Sequence, residues 1–387
     1  MKTLKLNSKK VKRKRKQETV IKKLEADKIS DEIAAKKAAD EKLVTEKSTV
    51  SIAVPGSILE NAQSFELKTY LAGQIARAAC IFRIDEVVIF DDICSSIKNK
   101  KTLLEDGSQV VRHSCIQLAR ILQYLECPQY LRKFLFPLHK DLQYSGLLNP
   151  LDAPHHLRLH NTFMYREGVI TEKKAKEGAC SSYVNVGLLN DVKVNKSLPA
   201  GVRVTVKLED SYASKKKKIK GEIVSPNEPR FRTGVYWGYN VRIAHSFSEI
   251  FTKSPYKEGY NLTVGTSDTG SNIYQIPTNS LNYDHALIVF GGLKGLEAAV
   301  QSDSKLDDVK EPKLLFDYYI NSIPTQGSRT IRTEEAILIT LGILKEKLNP
   351  VAPDITFTHS DKVAASTDTG TIVINENTSL IDMSKFD

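Results

Sequence analysis

Apolar residues recur with the spacings of alternating strands and helices from about residue 49 onward. STVSIAVP at 48–55 alternates as a strand does, apolar positions between Phe65 and Phe82 keep helical spacing, and EVVIF at 86–90 is a continuous apolar run. Such a run is typical of a strand buried on both faces of a parallel sheet. The pattern therefore predicts an α/β layer.

The pattern changes in the middle of the chain. Helices are predicted around Val110 to Leu125 and Tyr130 to Phe136, and residues 158–242 then hold short β-type runs. These runs are GVIT, SSYVNVG, VRVTVKL, GEIV and GVYWGYNVRI. Five short strands separated by turns and Lys-rich loops predict a small barrel of the oligonucleotide-binding kind, with Trp237 in its core.

The α/β pattern returns after the predicted barrel. The segments LTVGTSDTG, HALIVFGG and KLLFDYYIN each contain a predicted strand, with helices near Leu296 and from about Thr333 to Lys347. An α/β domain interrupted by a β insert accounts for this order. The predicted segments are an arm at 1–48, α/β parts at 49–157 and 246–349, the insert at 158–245 and a tail at 350–387.

Positive charge is confined to two segments. The net charge is +10, of which residues 1–50 carry +8 (16 basic, 8 acidic) and residues 158–242 carry +9 (17 basic, 8 acidic). Clustered lysines and arginines release condensed counterions on meeting phosphates, so a polyanion is the expected partner. The opening MKTLKLNSKKVKRKRK is interpreted as a nuclear or nucleolar address or an RNA-gripping arm, with a solvated tail as the alternative.

Several classes of site are disfavoured. The five cysteines form no C-x-x-C pair, which argues against a disulfide scaffold and a zinc site. His156 and His160 have a spacing that could serve a metal, but no matching ligand accompanies them, so we expect no metal site. No window approaches the ~20 apolar residues of a membrane span and the N-terminus lacks a signal sequence. We expect a chain that stays inside the cell and has no membrane partner.

Three loops follow the predicted C-terminal strands, at the end of a parallel sheet where ligands bind. They are GTSDTG at 265–270, FGGLKGLE at 290–297 and NSIPTQGSRTIRTEE at 321–335. The glycines of the second loop allow a close approach to a ligand or simply tight packing. The third loop gathers many donors beside a helix that Thr333 would cap.

Three strings resemble the SPOUT family of eukaryotic and archaeal RNA methyltransferases. They are SIAVPGSILENAQSFELKTYLAGQIARAA, HALIVFGGLKGLE and IPTQGSRTIRTEEAILITLGIL, and the resemblance spans about residues 51–345. It implies a trefoil-knotted α/β fold with a parallel sheet and an inserted β-barrel. It also implies S-adenosylmethionine as cofactor and a dimer, formed either by two copies or with a related SPOUT subunit.

The resemblance assigns the cofactor to the C-terminal loops and RNA to basic residues. The implied cofactor-binding residues are Thr269, Gly291, Gly292, Gly295, Asn321, Ser322, Pro324, Gln326, Gly327, Ser328 and Thr330. Arg329 and Arg332 would face the RNA, and the run Lys215, Lys216, Lys217 and Lys218 would follow its phosphates or form a solvated hairpin tip. No residue stands out as the proton acceptor.

One departure from the family bears on activity. Relatives typically read G-T-S-E-R-G where this chain has GTSDTG, so Thr269 replaces an arginine. Losing a charge-assisted hydrogen bond removes roughly 1.5 to 3 kcal/mol, or about tenfold to a hundredfold in cofactor affinity. Two hypotheses remain: a methyltransferase acting on ribosomal RNA or its precursor in the nucleolus, and a catalytically impaired RNA-binding factor in ribosome assembly.

Overall fold

The computed structural model describes residues 47–93, 111–173, 181–209 and 219–354. Its contacts divide the chain into two compact units. The larger unit holds the described residues up to Cys127, residues 136–154 and residues 225–354, and the smaller holds 128–135 and the described residues of 155–224.

Thirteen strands lie within the described residues. They are β1 (Thr49–Pro55), β2 (Glu86–Phe90), β3 (Tyr165–Ile170), β4 (Ser182–Asn185), β5 (Val192–Val194), β6 (Arg203–Leu208), β7 (Lys220–Val224), β8 (Asn240–Ala244), β9 (Leu262–Asn272), β10 (Leu281–Tyr283), β11 (His285–Val289), β12 (Tyr318–Asn321) and β13 (Leu348–Pro350).

Seven α-helices lie within the same residues. They are α1 (Phe65–Ile81), α2 (His113–Glu126), α3 (Gln129–Leu135), α4 (Glu228–Thr233), α5 (Ser248–Thr252), α6 (Gly295–Ser302) and α7 (Thr333–Leu344). Short 3-10 turns include Gly56–Asn61, directly after β1.

The larger unit is built on a six-stranded sheet in the order β12-β9-β11-β1-β2-β8. Every adjacent pair is parallel. β1 and β2 lie inside the sheet, where both faces are covered, and β2 is buried at all five positions. The prediction of a parallel α/β sheet is confirmed.

Alternate residues of β1 point into two different cores. Ile52 and Val54 pack with residues of α1, α2 and α7 on one face of the sheet. Ala53 packs on the other face, with residues of α5 and α6. Because both faces are covered, the sheet is the middle of three layers, and the carboxyl ends of its strands form one edge of the unit.

The smaller unit contains a closed barrel of five strands in the order β3-β4-β5-β7-β6. Its core is mostly valine, including Val184, Val192 and Val206. Gly168 and Gly221 allow this packing, because a Cβ at either position would approach a valine Cγ1 to 2.4 or 2.6 Å. The prediction of a small five-stranded barrel is confirmed.

One predicted barrel strand was wrong. GVYWGYNVRI contributes β8, the edge strand of the six-stranded sheet beside β2, and the fifth barrel strand is β5, which was not predicted. Trp237 is buried, as expected, but it lies in the larger unit, whose core holds the neighbouring Tyr239. β8 is only partly buried at its central positions, so its pattern resembles that of a small-barrel strand.

The predicted tail at 350–387, expected to be loosely held, is paired with other segments at its first residues. Pro350 ends β13, which pairs with β10, and the Asp354 carboxylate pairs with the Arg230 guanidinium at 2.9 Å. Residues 355–387 and 1–46 lie outside the described residues, as do the predictions made for them. Within the described residues, no helix combines the length and the apolar character needed to cross a membrane.

Candidate functional site

A cavity of about 910 Å³ opens at the carboxyl ends of β9, β11 and β12. This is the sheet edge at which ligands bind in open α/β folds. Its walls come from the middle of β9, the end of β12, the residues that follow β11 and β12, the first two turns of α7, and one side of α1 with residues 61–63 before it. Apolar side chains such as Phe290, Ile320 and Ile339 alternate there with charged and amide groups, a mixture typical of a small-molecule pocket.

The loop after β11 is held in a tight turn. The Gly295 amide donates to the Gly292 carbonyl at 3.0 Å, and Gly295 has a φ of +74°, a conformation that favours glycine. A Cβ on Gly292 would lie 3.3 Å from both Asp92 Oδ2 and Ser57 Oγ. The loop therefore packs against Ser57 and Asp92, which follow β1 and β2 and do not line the cavity.

Asp92 supports this loop from outside the cavity. Ser57 Oγ donates to Asp92 Oδ2 at 2.5 Å, and Ser302 Oγ donates to the Asp92 carbonyl at 3.0 Å. Burial raises the pKa of the Asp92 carboxyl above its ordinary value, and the hydrogen bonds from Ser57 oppose that shift. Asp92 thus joins β2, the turn after β1 and α6 beneath the glycine loop.

The start of α7 forms the opposite wall. Arg332 is the N-cap residue and its amide donates to Glu335 Oε2 at 3.0 Å. The prediction that Thr333 caps this helix was therefore off by one residue. Thr333 Oγ1 instead donates to the Gly291 carbonyl at 3.0 Å, because it is the first helical residue and faces the glycine loop. The positive end of the α7 dipole lies beside the cavity.

The residues at the end of β12 are held by side-chain hydrogen bonds. Asn321 Nδ2 donates to the Asp268 carbonyl at 2.7 Å, while Asn321 Oδ1 accepts from the Ile323 amide at 2.9 Å. Ser322 Oγ lies 2.6 Å from Thr340 Oγ1 of α7. The backbone in this wall is thereby fixed to both β9 and α7.

The first predicted loop is a strand. GTSDTG lies inside β9, where the pairing with β12 shifts between Tyr319 and Ile320. A Cβ on Gly270 would lie 2.4 Å from the Ile320 carbonyl carbon, so the close approach of the two strands requires this glycine. Thr269 Oγ1 lies 3.0 Å from Ser267 Oγ. The Thr269 amide also donates to Ser267 Oγ at 3.2 Å, and Ser267 lines the cavity, so Thr269 contacts a lining residue without lining the cavity itself.

The structure brings most of the predicted site residues together. The cavity is lined by Gly291, Gly292, Gly295, Asn321, Ser322, Gln326, Arg329, Thr330 and Arg332. Thr269, Pro324, Gly327 and Ser328 lie within the described residues but do not line it. Lys215, Lys216, Lys217 and Lys218 lie outside the described residues.

Sequence reasoning missed the contribution of α1 and the carboxylates. Leu67 was placed on the apolar stripe of the predicted helix with Leu71, yet its side chain is 55% exposed and both residues line the cavity. Gln63 and Gln74 line it as well, as do three acids, Asp268, Glu334 and Glu335. The available signal was that the apolar positions of this helix begin in its first turn, at Leu67. Within the described chain, no three His, Cys, Asp or Glu residues cluster as metal ligands.

Comparison with known proteins shows the family of this chain. Residues 49–344 match the model of a family described as "Putative RNA methyltransferase". The match covers most of the chain, which therefore belongs to this family.

Three curated relatives of this chain carry one name. The Drosophila melanogaster protein called 28S rRNA (uridine-N(3))-methyltransferase is 59% identical over 94% of this chain and 76% of its own length. The Homo sapiens protein of the same name is 49% identical over 82% of this chain and 85% of its own. The Mus musculus protein, also of that name, is 52% identical over 78% of this chain and 77% of its own length.

Proposed function

We propose that this chain is an S-adenosylmethionine-dependent methyltransferase that methylates N3 of a uridine in large-subunit ribosomal RNA. The observation that carries the proposal is the cavity at the ends of β9, β11 and β12, in a chain that belongs to an RNA methyltransferase family. The names of the relatives supply the acceptor and the RNA. They do not favour the hypothesis of an RNA-binding factor without catalysis.

The groups in the cavity fit S-adenosylmethionine. The ligand has a flat base, a ribose diol, a sulfonium, an ammonium and a carboxylate, and so needs apolar walls and both signs of charge. Phe290 and Ile339 offer apolar surface, Asp268 offers a carboxylate, and Arg329 offers a guanidinium. Gly291 and Gly292 line the cavity and, having no side chains, present only backbone groups to a ligand. When bound, the cofactor supplies an electrophilic methyl group.

The residues of this chain would act mainly by positioning. Asn321 and Thr333 fix the two walls that would hold the cofactor, and Asp92 holds the glycine loop from below. Holding two reactants in line replaces a bimolecular encounter by a near-unimolecular step. Arg329 and Arg332, both at the cavity, would attract the RNA.

Two measurements test this function. The first is calorimetric titration of the full chain with S-adenosylmethionine, comparing wild type with Gln63→Trp, which fills the cavity from an exposed lining position, and with Gln143→Trp, an exposed glutamine elsewhere in the larger unit. We expect binding by wild type and Gln143→Trp and weakened binding by Gln63→Trp. Absence of binding by wild type contradicts the proposal.

The second measurement identifies the product. Large-subunit ribosomal RNA is incubated with the chain and the methyl-labelled cofactor, and the RNA is then digested to nucleosides. Label in 3-methyluridine is the expected result. Label in another nucleoside corrects the acceptor, and unlabelled RNA contradicts the activity.

We further propose that the barrel binds the RNA. Lys193, Lys207 and Lys220 line a cavity of about 770 Å³ on the barrel, and β6 and β7 flank the segment that carries the lysine run. Replacing these three lysines by Gln should weaken RNA binding and lower its salt dependence by about one unit of slope for each phosphate that is no longer neutralised. The matched control replaces Lys305, Lys310 and Lys313 in the larger unit, where unchanged binding is expected.

We also propose a homodimer formed by exposed apolar residues of α1 and α7. Tyr70, Ile81 and Leu338 are each about half exposed, and Tyr70 and Leu338 line a shallow cavity of about 290 Å³ between the two helices. Leu338→Glu should shift the mass measured by light scattering from dimer to monomer. Leu314→Glu, at a more exposed leucine away from these helices, is the control. A wild-type monomer would favour pairing with a related subunit.

Two more proposals rest on the family resemblance and the sequence. We propose that the larger unit is a SPOUT fold in which the C-terminal segment threads a loop to form a trefoil knot, which the chain trace of an experimental map would test.

We also propose a nuclear, nucleolar location set by MKTLKLNSKKVKRKRK. A fluorescent fusion lacking residues 1–16 should lose nucleolar signal, and retention of that signal contradicts this role.

A further inference from the structure

Three carboxylates line the cavity, and two of them are already engaged. Asp268 Oδ1 accepts from Ser267 Oγ at 3.3 Å, and Glu335 Oε2 accepts from the Arg332 amide as the capping contact of α7. Glu334 is half-buried, and it has neither an ion pair nor a side-chain hydrogen bond to any other residue that the structure describes. Its carboxylate is therefore available to a ligand.

Glu334 also lies where two cavities meet. It lines both the large cavity at the strand ends and the smaller cavity between α1 and α7. Tyr70, Gln74 and Glu335 are the other residues shared by the two. A ligand in the large cavity that reaches toward α1 would meet Glu334 beside the loops proposed to hold the cofactor.

The charges around Glu334 suit the chemistry of a uracil ring. N3 of uracil carries a proton between two carbonyl groups, and removal of that proton spreads negative charge onto O2 and O4. Arg329 and Arg332 line the same cavity as Glu334, so one ligand in that cavity can meet both the guanidinium donors and the carboxylate that would take the proton. Cationic donors aimed at developing negative charge are a strong source of rate acceleration.

We propose that Glu334 is the proton acceptor for methyl transfer to N3, an inference that rests on the function proposed above. The N3 proton passes to a carboxylate oxygen of Glu334, and the N3 electron pair forms the new bond to the methyl carbon. The carbon–sulfur bond breaks with its electron pair remaining on sulfur, which becomes a neutral thioether. Glu334 then releases the proton to water. Carboxylates perform such transfers from weakly acidic positions when held in place.

No other side chain that lines the cavity both can accept a proton and is without a hydrogen bond to another described residue. Histidine, the commonest general base, is absent from the described residues that line the cavity. Asp92 lies beneath Gly292 and does not line the cavity. Glu335 Oε2 is occupied by the capping hydrogen bond from the Arg332 amide, which leaves only Oε1 for a substrate.

The test compares Glu334→Gln with Glu335→Gln, neighbouring acids on one helix turn. Single-turnover transfer to large-subunit ribosomal RNA should fall by about a hundredfold or more in Glu334→Gln and by much less in Glu335→Gln, whose amide oxygen can still accept from Arg332. Glu334→Asp should recover part of the rate. Cofactor affinity, measured by calorimetry, should stay within about twofold of wild type, because Glu334 would face the base and the loss of a hydrogen bond to the cofactor would cost more than that.

A binding measurement gives a readout independent of turnover. The wild-type chain should bind unmethylated RNA more tightly than the same RNA after methylation, because Glu334 accepts from N3–H and the methyl group removes that donor. Glu334→Ala should lose this preference. A Glu334→Gln variant with full transfer rate, or one that has lost cofactor binding, overturns the assignment. A wild-type chain that binds no cofactor and transfers no methyl group overturns the proposed function itself.

Discussion

The Thr333 hydroxyl donates a 3.0 Å hydrogen bond to the backbone carbonyl of Gly291, a residue 42 positions earlier in the chain. This contact joins the first turn of α7 to the loop after β11. The two elements form opposite walls of the cavity, so their separation is set partly by one hydroxyl. A ligand held between these walls would depend on that separation.

Thr333→Val should therefore weaken cofactor binding. Valine keeps the shape of threonine but leaves the Gly291 carbonyl without its partner, at a cost of roughly 0.5 to 1.5 kcal/mol. Because this contact exists with or without the ligand, only the part of the cost that displaces the walls lowers affinity, so the loss is at most about tenfold and is measurable by calorimetry with S-adenosylmethionine. Thr252→Val is the control, because the Thr252 hydroxyl bonds only within α5. Equal effects of the two substitutions would mean that the contact does not set the cavity width.

Gly270→Ala should destabilise the fold at the junction of β9 and β12. Its Cβ would lie 2.4 Å from the Ile320 carbonyl carbon, and a collision with backbone forces the two strands apart. A loss of about 1 to 3 kcal/mol in the free energy of unfolding is expected from such overpacking, measured by urea denaturation. Gly327→Ala is the matched control, since a Cβ at Gly327 meets no atom within 4 Å. Wild-type stability in Gly270→Ala would contradict this close spacing of the two strands.

Much of the fold could be predicted because many of its elements have a recognisable pattern within their own segment of the sequence. The apolar run of β2 and the helical spacing of α1 each lie within one segment, and both were found within one or two residues of their bounds. β8 shows the limit of this reasoning. Its pattern was recognised, but its partner, β2, lies about 150 residues away in the chain. Periodicity reports which face of a strand is buried and not which strand it pairs with.

The candidate site shows the same limit. The loops after β11 and β12 were predicted because the ends of parallel strands share one edge. Residues contributed by neighbouring elements, such as Gln74 of α1, carry no local sign of their position. Glu334 was visible only as the second residue of a helix, where an acid is favoured by the helix dipole in any protein. Its freedom from side-chain partners among the described residues is a property of the packed structure.

His285 should make the stability of the fold depend on pH. Burial lowers the pKa of His285 below its ordinary value, although Asp284 and Glu258 oppose this, and its ring stacks on Tyr256 with centroids 3.8 Å apart. The unfolded chain therefore binds the proton more readily than the folded chain does. The neutral His285 ring contributes its full stabilisation above the pKa of about 6.5 that histidine has in the unfolded chain. This contribution is lost as the pH falls through the lower pKa of His285 in the folded chain.

His285→Phe keeps a ring to stack on Tyr256 and removes the titration. The free energy of unfolding should fall less for this variant than for wild type between about pH 7.5 and about pH 5. The variant loses the hydrogen bond between Thr49 Oγ1 and the imidazole, so its absolute stability is lower at both values and only the difference is diagnostic. Parallel pH profiles for the two proteins would exclude His285 as a source of the dependence.

Gly342→Ala should stabilise the protein without altering the cavity. Gly342 is an exposed residue near the end of α7, and its Cβ would make an ordinary contact, 3.7 Å from Phe82 Cζ. Alanine in a helix is favoured over glycine by roughly 0.5 to 1 kcal/mol, so the unfolding midpoint in urea should rise. Gly73→Ala in α1 is the comparison, because its Cβ would lie 2.8 Å from Leu148 Cδ2, and the helix gain should be offset there by crowding. Cofactor affinity should be unchanged in Gly342→Ala, since Gly342 does not line the cavity and the α7 residues that do lie between Thr333 and Thr340. A weakened affinity would show that the two ends of this helix are mechanically coupled.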